Sequence, residues 1–225
     1  MSASVATLLE GHSLTSGQGN PSFCGVYLVE AAARRILFDC GHPGRRRALL
    51  AAFEARGLTP ADIDVVVLSH GHWDHLQNVD LFDTATVLLH GDELRYLADP
   101  PAHDRATPRW AHAVLSTSEV RETGDGAEIA DGVRVVHLPG HTPGSIGLAV
   151  TTETGMAVLT GDAVASARVL REGPSGLQWD TALATASVAR VRQLADVVHP
   201  GHGLPFRTSA PPPRPAPLAF RVPGR

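Results

Sequence analysis

The sequence predicts an α+β domain built from two similar halves. Short apolar segments rich in β-branched residues alternate with segments whose apolar residues recur at helical spacing. The order hairpin, acidic residue, helix, strand and histidine occurs twice. The strands that close the two copies are also alike, since Asp64-Val65-Val66 resembles Asp196-Val197-Val198. We interpret this repetition as two half-domains that meet at one edge.

The first half has the following predicted elements: a strand at 5–10, a glycine- and serine-rich loop at 11–22, a hairpin of strands at 25–30 and 34–39, a helix at 46–56 and a strand at 64–68. The hairpin ends in an acid, Asp39. The helix ends at Gly57, because glycine readily takes the left-handed conformation that closes a helix. The last strand leads directly into a histidine-rich stretch.

The connection and the second half have these predicted elements: a strand at 86–89, a short helix at 91–97, an irregular proline-rich segment at 99–108, strands within 119–138 with a turn at 124–126, a hairpin at 146–151 and 156–160, a loop at 165–179, a helix at 181–194 and a strand at 196–198. The second hairpin also ends in an acid, Asp162. We expect one domain over 1–208 and an extended tail over 209–225, which contains six prolines.

Nothing in the sequence predicts a membrane protein or a secreted one. The 225 residues suit one domain with a sizeable core. They contain no run of about 18 apolar residues, the length that spans a bilayer. Residues 1–5 lack the basic and apolar regions of a secretion signal. We therefore expect a cytoplasmic protein in which Cys24 and Cys40 are thiols.

The charge balance limits the partners. All 19 basic residues are arginine, which excludes a lysine Schiff base, and the formal net charge is -4. The chain therefore has no overall basic character for nucleic acid. We expect a small-molecule substrate, with no membrane and no nucleic-acid partner; the sequence leaves the oligomeric state open.

The most informative stretch is S-H-G-H-W-D-H at 69–75. His70, His72, Asp74 and His75 put four metal-ligating side chains within six residues. In an extended backbone the first two point the same way, whereas the last two follow a turn and can face a second point. Four such ligands exceed what one ion needs, but two ions about 3.5 to 4 Å apart would share them.

Three later positions supply the remaining donors. His141, Asp162 and His202 each follow an apolar segment and lie beside glycine, where backbones can crowd a buried ion. The two oxygens of a carboxylate such as Asp162 can bridge two cations.

The full pattern, H-x-H-x-D-H followed by a lone His, an Asp and a His, resembles the metallo-β-lactamase superfamily over about 5–207. This resemblance implies a four-layer αββα sandwich with two metals, most often zinc, at one rim. It implies the following ligands: His70, His72 and His141 for the first metal, Asp74, His75 and His202 for the second, and Asp162 as the bridge. Asp74 and Asp162 are also the candidate catalytic residues. The same donors accept iron or manganese.

Residues around this pattern have open roles. The resemblance suggests that Asp39 orients a metal-bound histidine, although it could also be a plain turn acid. His42 and His199 lie near the motifs but off the ligand pattern, which favours supporting or surface roles. Weak candidates for substrate contacts are Trp110, His112, Arg168, Arg171 and Trp179.

The predicted activity is hydrolysis of a small ester, thioester or lactone by a hydroxide shared between two metals. The resemblance disfavours secreted β-lactamases, glyoxalase II-like enzymes with a helical C-terminal domain, and flavodiiron proteins. The stretches at 36–41 and 195–207 look most like small single-domain members that include an animal histone pre-mRNA nuclease. Phosphodiester hydrolysis is therefore one alternative, and a non-catalytic metal-binding scaffold is another.

Overall fold

The structure, a computed structural model, describes residues 2–15, 17, 19, 21–32, 34–116 and 118–214. Two six-stranded sheets form within these residues. The first contains β1 (Ser4–Leu9), β2 (Val26–Ala31), β3 (Arg34–Phe38), β4 (Val65–Val67), β5 (Thr86–His90) and β6 (Val120–Thr123). The second contains β7 (Glu128–Ala130), β8 (Val133–His137), β9 (Ile146–Thr152), β10 (Gly155–Gly161), β11 (Val197–Pro200) and β12 (Phe206–Arg207). The helices are α1 (Arg46–Glu54), α2 (Trp73–Leu76), α3 (Gly91–Ala98), α4 (Ala111–Leu115), α5 (Ala167–Glu172) and α6 (Thr181–Leu194).

Three hydrophobic cores separate four layers. One core packs α1, through Leu49 and Phe53, against the first sheet. A second fills the space between the two sheets. The third packs α6, through Val188 and Val191, against the second sheet. The helix–sheet–sheet–helix order confirms the predicted αββα sandwich, in which each sheet buries both of its faces.

The two halves share a strand–strand–helix–strand core. In the first, β2 and β3 pair antiparallel, and the chain then passes through α1 to β4, which lies parallel to β3. In the second, β9 and β10 pair antiparallel, and the chain passes through α5 and α6 to β11, which lies parallel to β10. Parallel neighbours require such helical crossovers. Asp39 and Asp162 follow the second strand of each copy, at the edge where the halves meet.

One local prediction was wrong and two elements were missed. The predicted loop at 165–179 contains α5, which begins where Ser166 Oγ accepts a hydrogen bond from the amide of Val169 and ends at Gly173 with φ 101°. The predicted turn at 124–126 is present, closed where the Ala127 amide donates to the Gly124 carbonyl at 3.1 Å, and it carries the chain from β6 in one sheet to β7 in the other. Helix α4 and strand β12 were not predicted.

The end of the described chain follows β12. The Thr208 hydroxyl donates to the Ala195 carbonyl at 3.0 Å, and residues 211–214 have no regular secondary structure. The boundary at 208 stays a prediction, and residues 215–225 of the predicted tail lie outside the described residues. No helix in the described ranges is long and apolar enough to cross a bilayer.

Candidate metal centre

The ends of four strands bring the seven candidate ligands together. His70 and His72 lie in the loop after β4, and Asp74 and His75 lie in α2. The loop after β8 carries His141, whereas Asp162 directly follows β10 and His202 lies two residues after the end of β11. Five of the seven residues are buried; His141 and Asp162 are partly buried.

The donor atoms form overlapping groups. The groups whose ligand atoms lie within 4.8 Å of one another are His70, His72 and His141; His70, His75 and Asp162; and Asp74, His75 and His202. Asp162 connects them, since its Oδ1 lies 3.5 Å from His75 Nε2 and its Oδ2 lies 3.2 Å from His202 Nε2 and 3.5 Å from His141 Nε2. The first and third groups match the two ligand sets that the resemblance implied.

Hydrogen bonds on the outer side of three imidazoles fix their tautomers. His141 Nδ1 donates to the Leu177 carbonyl at 2.9 Å, and His202 Nδ1 donates to the Phe23 carbonyl at 3.0 Å. His75 Nδ1 donates to Asp39 Oδ2 at 2.8 Å. Carbonyl and carboxylate oxygens only accept, so these nitrogens carry the hydrogens. The Nε2 atoms therefore face the centre as lone pairs.

The other two histidines follow the same rule. Ser69 Oγ donates to Asp39 Oδ2 at 2.9 Å and so accepts from His70 Nδ1 at 2.9 Å. The His72 ring has the opposite orientation, with its Nε2 on the outer side, 3.3 Å from Asp104 Oδ2. Its Nδ1 therefore carries the inward lone pair. All five imidazoles aim a lone pair at one small volume.

Three of the inward atoms lack a hydrogen-bond partner among the described residues, and two more face each other. His70 Nε2, His75 Nε2 and Asp162 Oδ1 are buried without a hydrogen bond. His72 Nδ1 and His141 Nε2, both lone pairs, face each other at 3.0 Å. Buried unsatisfied acceptors are costly, and facing lone pairs repel unless a cation lies between them. The donor set therefore fits divalent metal ions, and imidazole with carboxylate is the set that zinc accepts.

Burial keeps two of the imidazoles neutral, whereas the carboxylates around His75 attract positive charge, whether a proton or a metal ion. Burial lowers the pKa of His70 well below its usual value and that of His141 to about 4, so both are neutral near pH 7. Burial also acts on His75, but the carboxylates of Asp39, Asp74 and Asp162 outweigh it and raise its pKa. Burial opposes the charge of Asp162, yet His202 and His75 hold its pKa well below the usual value.

Two glycines allow the strand ends to approach. Gly161 has φ 48°, a left-handed conformation, and a Cβ there would lie 2.5 Å from Ser69 Cβ. A Cβ on Gly201 would lie 2.1 Å from Asp162 Oδ1. Side chains at either position would displace the atoms that support the site.

The supporting residues suggested by the sequence lie in different places. Asp39 is buried and contacts both Ser69 and His75, as an orienting acid would. His199 lies away from the ligands: its ring packs edge-on against Tyr27, with centroids 5.1 Å apart, and lines a cavity of about 370 Å³. Its supporting role at the candidate centre stays a prediction.

Only one of the weak substrate-contact candidates is bonded to a candidate ligand within the described chain. The amide of Trp179 donates to the His141 carbonyl at 3.1 Å, and its side chain is 47% exposed. Arg168 pairs with Glu172 at 2.8 Å. Trp110 is exposed, as are His112 and Arg171.

Two buried acids around the site were not anticipated. Asp104 contacts His72, and Glu93 accepts from the amide of Gly71 at 2.8 Å and from Gly144 at 3.0 Å. Glu93 therefore joins the loop after β4 to the loop after β8. Burial raises the pKa of Glu93. In sequence these acids look like ordinary charged residues, because their partners are far away along the chain.

A further histidine cluster lies outside this centre. His90, Asp92 and His137 also group within 4.8 Å. Their atoms are already engaged, since Asp92 pairs with Arg95 and His137 Nε2 donates to the Pro143 carbonyl at 3.2 Å. This cluster therefore lacks the buried, unpaired ligand atoms that distinguish the main centre.

An αββα sandwich with this donor-lined rim defines a metal-dependent hydrolase. Residues 19–202 match the family described as the Metallo-beta-lactamase superfamily. The chain belongs to that superfamily, which confirms the resemblance seen in the sequence.

Named relatives support this assignment. "Metallo-beta-lactamase domain-containing protein 1" of Xenopus laevis is 35% identical over 91% of this chain and 81% of its own length. The chain spans 62% of the human protein of that name. "N-acyl homoserine lactonase AiiB" of Agrobacterium fabrum is 31% identical over 70% of this chain and 59% of its own length. A solved structure of B. thuringiensis AiiA, with N-decanoyl-L-homoserine at its active site, superposes with TM-score 0.72 at 20% identity, covering 89% of this chain and 92% of that one.

Proposed function

We propose that the protein is a dinuclear zinc hydrolase that opens a small lactone, ester or thioester. The observation that carries the proposal is the convergence of five imidazole lone pairs and two carboxylates on one volume. We assign the ligands as follows: His70, His72 and His141 to the first ion, Asp74, His75 and His202 to the second, and Asp162 to both.

The chemistry divides between the ions and the chain. Two divalent cations held by these residues would lower the pKa of bound water from about 15.7 toward neutrality and would polarise the substrate oxygen. Asp162 holds the two ligand groups at a fixed separation through its two oxygens. Asp74, whose Oδ2 lies 3.4 Å from His202 Nε2, accepts the proton of the attacking water and returns it to the leaving oxygen or sulfur.

The rim beside His141 supports a partly apolar substrate. The Leu177 carbonyl accepts from His141 Nδ1, and the Trp179 amide donates to the His141 carbonyl, so both residues are held against the site. Their side chains are 44% and 47% exposed and lie two residues apart in the sequence. They offer contact to the acyl part of a substrate, and the lactonase relative supports a lactone in particular.

Phosphodiester hydrolysis is the second candidate. The resemblance to small nuclease members favours it, whereas the net charge of -4 and the absence of lysine give the backbone of a nucleic acid little to bind. A panel of substrates separates the possibilities: zinc-loaded protein is assayed with a lactone, p-nitrophenyl acetate, a thioester and bis-p-nitrophenyl phosphate. We expect turnover of the lactone or the other acyl substrates. Turnover of the phosphate alone would replace this proposal with a phosphodiesterase, and an inert metal-loaded protein would favour a scaffold.

Metal content tests the ligand assignment separately. We expect about two zinc ions per wild-type chain by elemental analysis. Asp162→Ala and His72→Ala should lose metal and activity together, because each removes a donor that the protein cannot replace. His90→Ala, in the other histidine cluster, is the matched control and should keep both. Full metal occupancy in the first two variants would refute the assignment.

A further inference from the structure

The irregular segment between the two halves contains a buried carboxylate with five hydrogen-bond partners. Asp104 Oδ1 accepts from the amides of Ala106 at 2.9 Å and Thr107 at 3.1 Å. Its Oδ2 accepts from Thr107 Oγ1 at 2.7 Å, Tyr96 Oη at 2.8 Å and His72 Nε2 at 3.3 Å. Only 2% of the Asp104 side chain is exposed. Four of the five hydrogen bonds hold the carboxylate in place, and the fifth joins it to the His72 ring.

The same segment also holds the chain just after His72. The Ala106 carbonyl accepts from the Trp73 amide at 2.9 Å. Residues 104–107 therefore contact His72 through its ring and Trp73 through its backbone. Both bonds restrict how the His72 imidazole can turn.

His72 needs this restriction more than the other four histidines do. It is the one candidate ligand among them that presents Nδ1 to the centre, whereas His70, His75, His141 and His202 present Nε2. An imidazole has one hydrogen when neutral, so the hydrogen must be on Nε2 for Nδ1 to bind a cation. Within the described contacts of the His72 ring, Asp104 is the acceptor that keeps it there.

We propose that Asp104 is a positioning residue that selects the Nε2–H tautomer of His72 and so sets the affinity of the first metal position. This inference rests on the proposed function, because it takes His72 as a ligand. Asp104 does not touch the reacting atoms. Its effect is transmitted through the imidazole, and carboxylate partners of this kind change metal affinity by about 10- to 100-fold when removed.

The isosteric variant Asp104→Asn gives the sharpest test. If the amide nitrogen faces His72, it donates to Nε2 and forces the hydrogen onto Nδ1, where it blocks the cation. If the amide nitrogen faces the other way, it meets the amides of Ala106 and Thr107, which also donate. In both orientations one set of bonds is lost, so the variant cannot reproduce the wild-type site.

Zinc affinity is measured by competition with a chromophoric chelator. We expect Asp104→Asn to bind one of its two zinc ions about 10- to 100-fold more weakly, with the other ion changed less than about threefold. Tyr96→Phe is the matched control, because it removes one bond to the same Oδ2 but leaves the His72 contact; its affinities should stay within about threefold of wild type. Equal affinities in wild type and Asp104→Asn would overturn the proposal.

A second measurement does not depend on the variant folding. Long-range proton–nitrogen NMR correlations of wild-type protein report which ring nitrogen of His72 carries the hydrogen. We expect Nε2–H at His72, and Nδ1–H at His72 would overturn the proposal even if Asp104→Asn is insoluble. Wild-type protein that binds no zinc but shows Nε2–H would instead refute the metal assignment while leaving the positioning contact intact.

Discussion

Single residues at the strand ends determine whether the ligands can meet. Gly201 is the clearest case, because it has no side chain and yet lies against Asp162, the proposed bridging carboxylate. A Cβ built on Gly201 would lie 2.1 Å from Asp162 Oδ1, which is so close that Asp162 would have to move. Gly203, two residues further, is surrounded more loosely, with the nearest atom 3.4 Å from a built Cβ.

Gly201→Ala should therefore damage the site where Gly203→Ala does not. We expect Gly201→Ala to lower zinc affinity at least tenfold and activity by about 10²-fold, since small displacements of a positioned group cost that much. Gly203→Ala should remain within about threefold of wild type. Zinc competition and turnover of the best acyl substrate measure both. Similar results for the two variants would show that crowding at Asp162 does not matter.

His199 makes a residue-scale prediction about pH that is independent of the metal centre. Burial lowers its pKa from 6.5 to about 4. Between these two pH values the folded protein keeps His199 neutral while the unfolded chain binds a proton. The contribution of the neutral imidazole to the free energy of unfolding is therefore complete above pH 6.5 and is lost as the pH falls toward 4. A pKa lowered this far corresponds to roughly 3 kcal/mol of free energy of unfolding.

His199→Gln should remove the loss of stability that His199 causes at low pH. Urea unfolding of chelator-treated protein at pH 7, 5.5 and 4 gives the free energy of unfolding for each variant. We expect the wild-type value to fall more steeply than the His199→Gln value, by up to about 3 kcal/mol in total. The exposed His112→Gln is the control and should follow the wild type. Parallel curves for wild type and His199→Gln would contradict the burial of a neutral imidazole.

At the scale of elements, helix α3 joins the loops that carry the first ligand group. Glu93 is fully buried on this helix and accepts from the Gly71 amide, the Thr142 hydroxyl and the Gly144 amide. Gly71 lies between two candidate ligands, and Thr142 follows a third. One carboxylate therefore sets the distance between two loops from different halves of the chain.

Glu93→Ala should destabilise the fold more than a neighbouring change on the same helix. It leaves the buried amides of Gly71 and Gly144 unpaired, each worth about 1 kcal/mol or more, and removes one of the two bonds of the Thr142 hydroxyl, so we expect a loss of at least about 2 kcal/mol in the free energy of unfolding. Asp92→Ala, whose side chain is 41% exposed, should cost less than about 1 kcal/mol. Urea denaturation of both variants measures the difference. Equal losses would mean that the loops do not depend on Glu93.

The elements also show what sequence can predict. Helix α6 was predicted with its observed bounds, Thr181–Leu194, because its apolar spacing is a local feature. Helix α5 was missed because glycine and proline surround a short amphipathic turn. The supporting roles of Asp104 and Glu93 were missed for a different reason: their partners lie 32 and up to 51 residues away. Such pairings depend on how the chain folds and produce no periodic pattern in the sequence.

At the scale of the whole molecule, the candidate site is also the junction of the two halves. The Gly25 amide donates to the Gly201 carbonyl at 2.6 Å, and the Tyr27 hydroxyl donates to the Pro200 carbonyl at 2.7 Å. His202 Nδ1 donates to the Phe23 carbonyl at 3.0 Å. The end of β11 in the second half is thus bonded directly to the start of β2 in the first.

This arrangement predicts that zinc stabilises the molecule as one unit. Ligands from both halves surround the proposed ions, and ions that bind only the folded state stabilise it by about 4 kcal/mol at a thousandfold excess over Kd. For a chain of this size we expect zinc to raise Tm by roughly 10 °C over chelator-treated protein. Differential scanning calorimetry should show a single transition that moves with zinc.

Two variants connect that shift to the ligands. His202→Ala removes a donor of the second half and should reduce the zinc-induced shift by about half or more, because one of the two ions loses a ligand. His90→Ala should keep the full shift, since its imidazole lies in the other cluster. A zinc effect confined to one of two separate transitions would mean that the halves unfold independently, and the metals would then belong to one half and not to the junction.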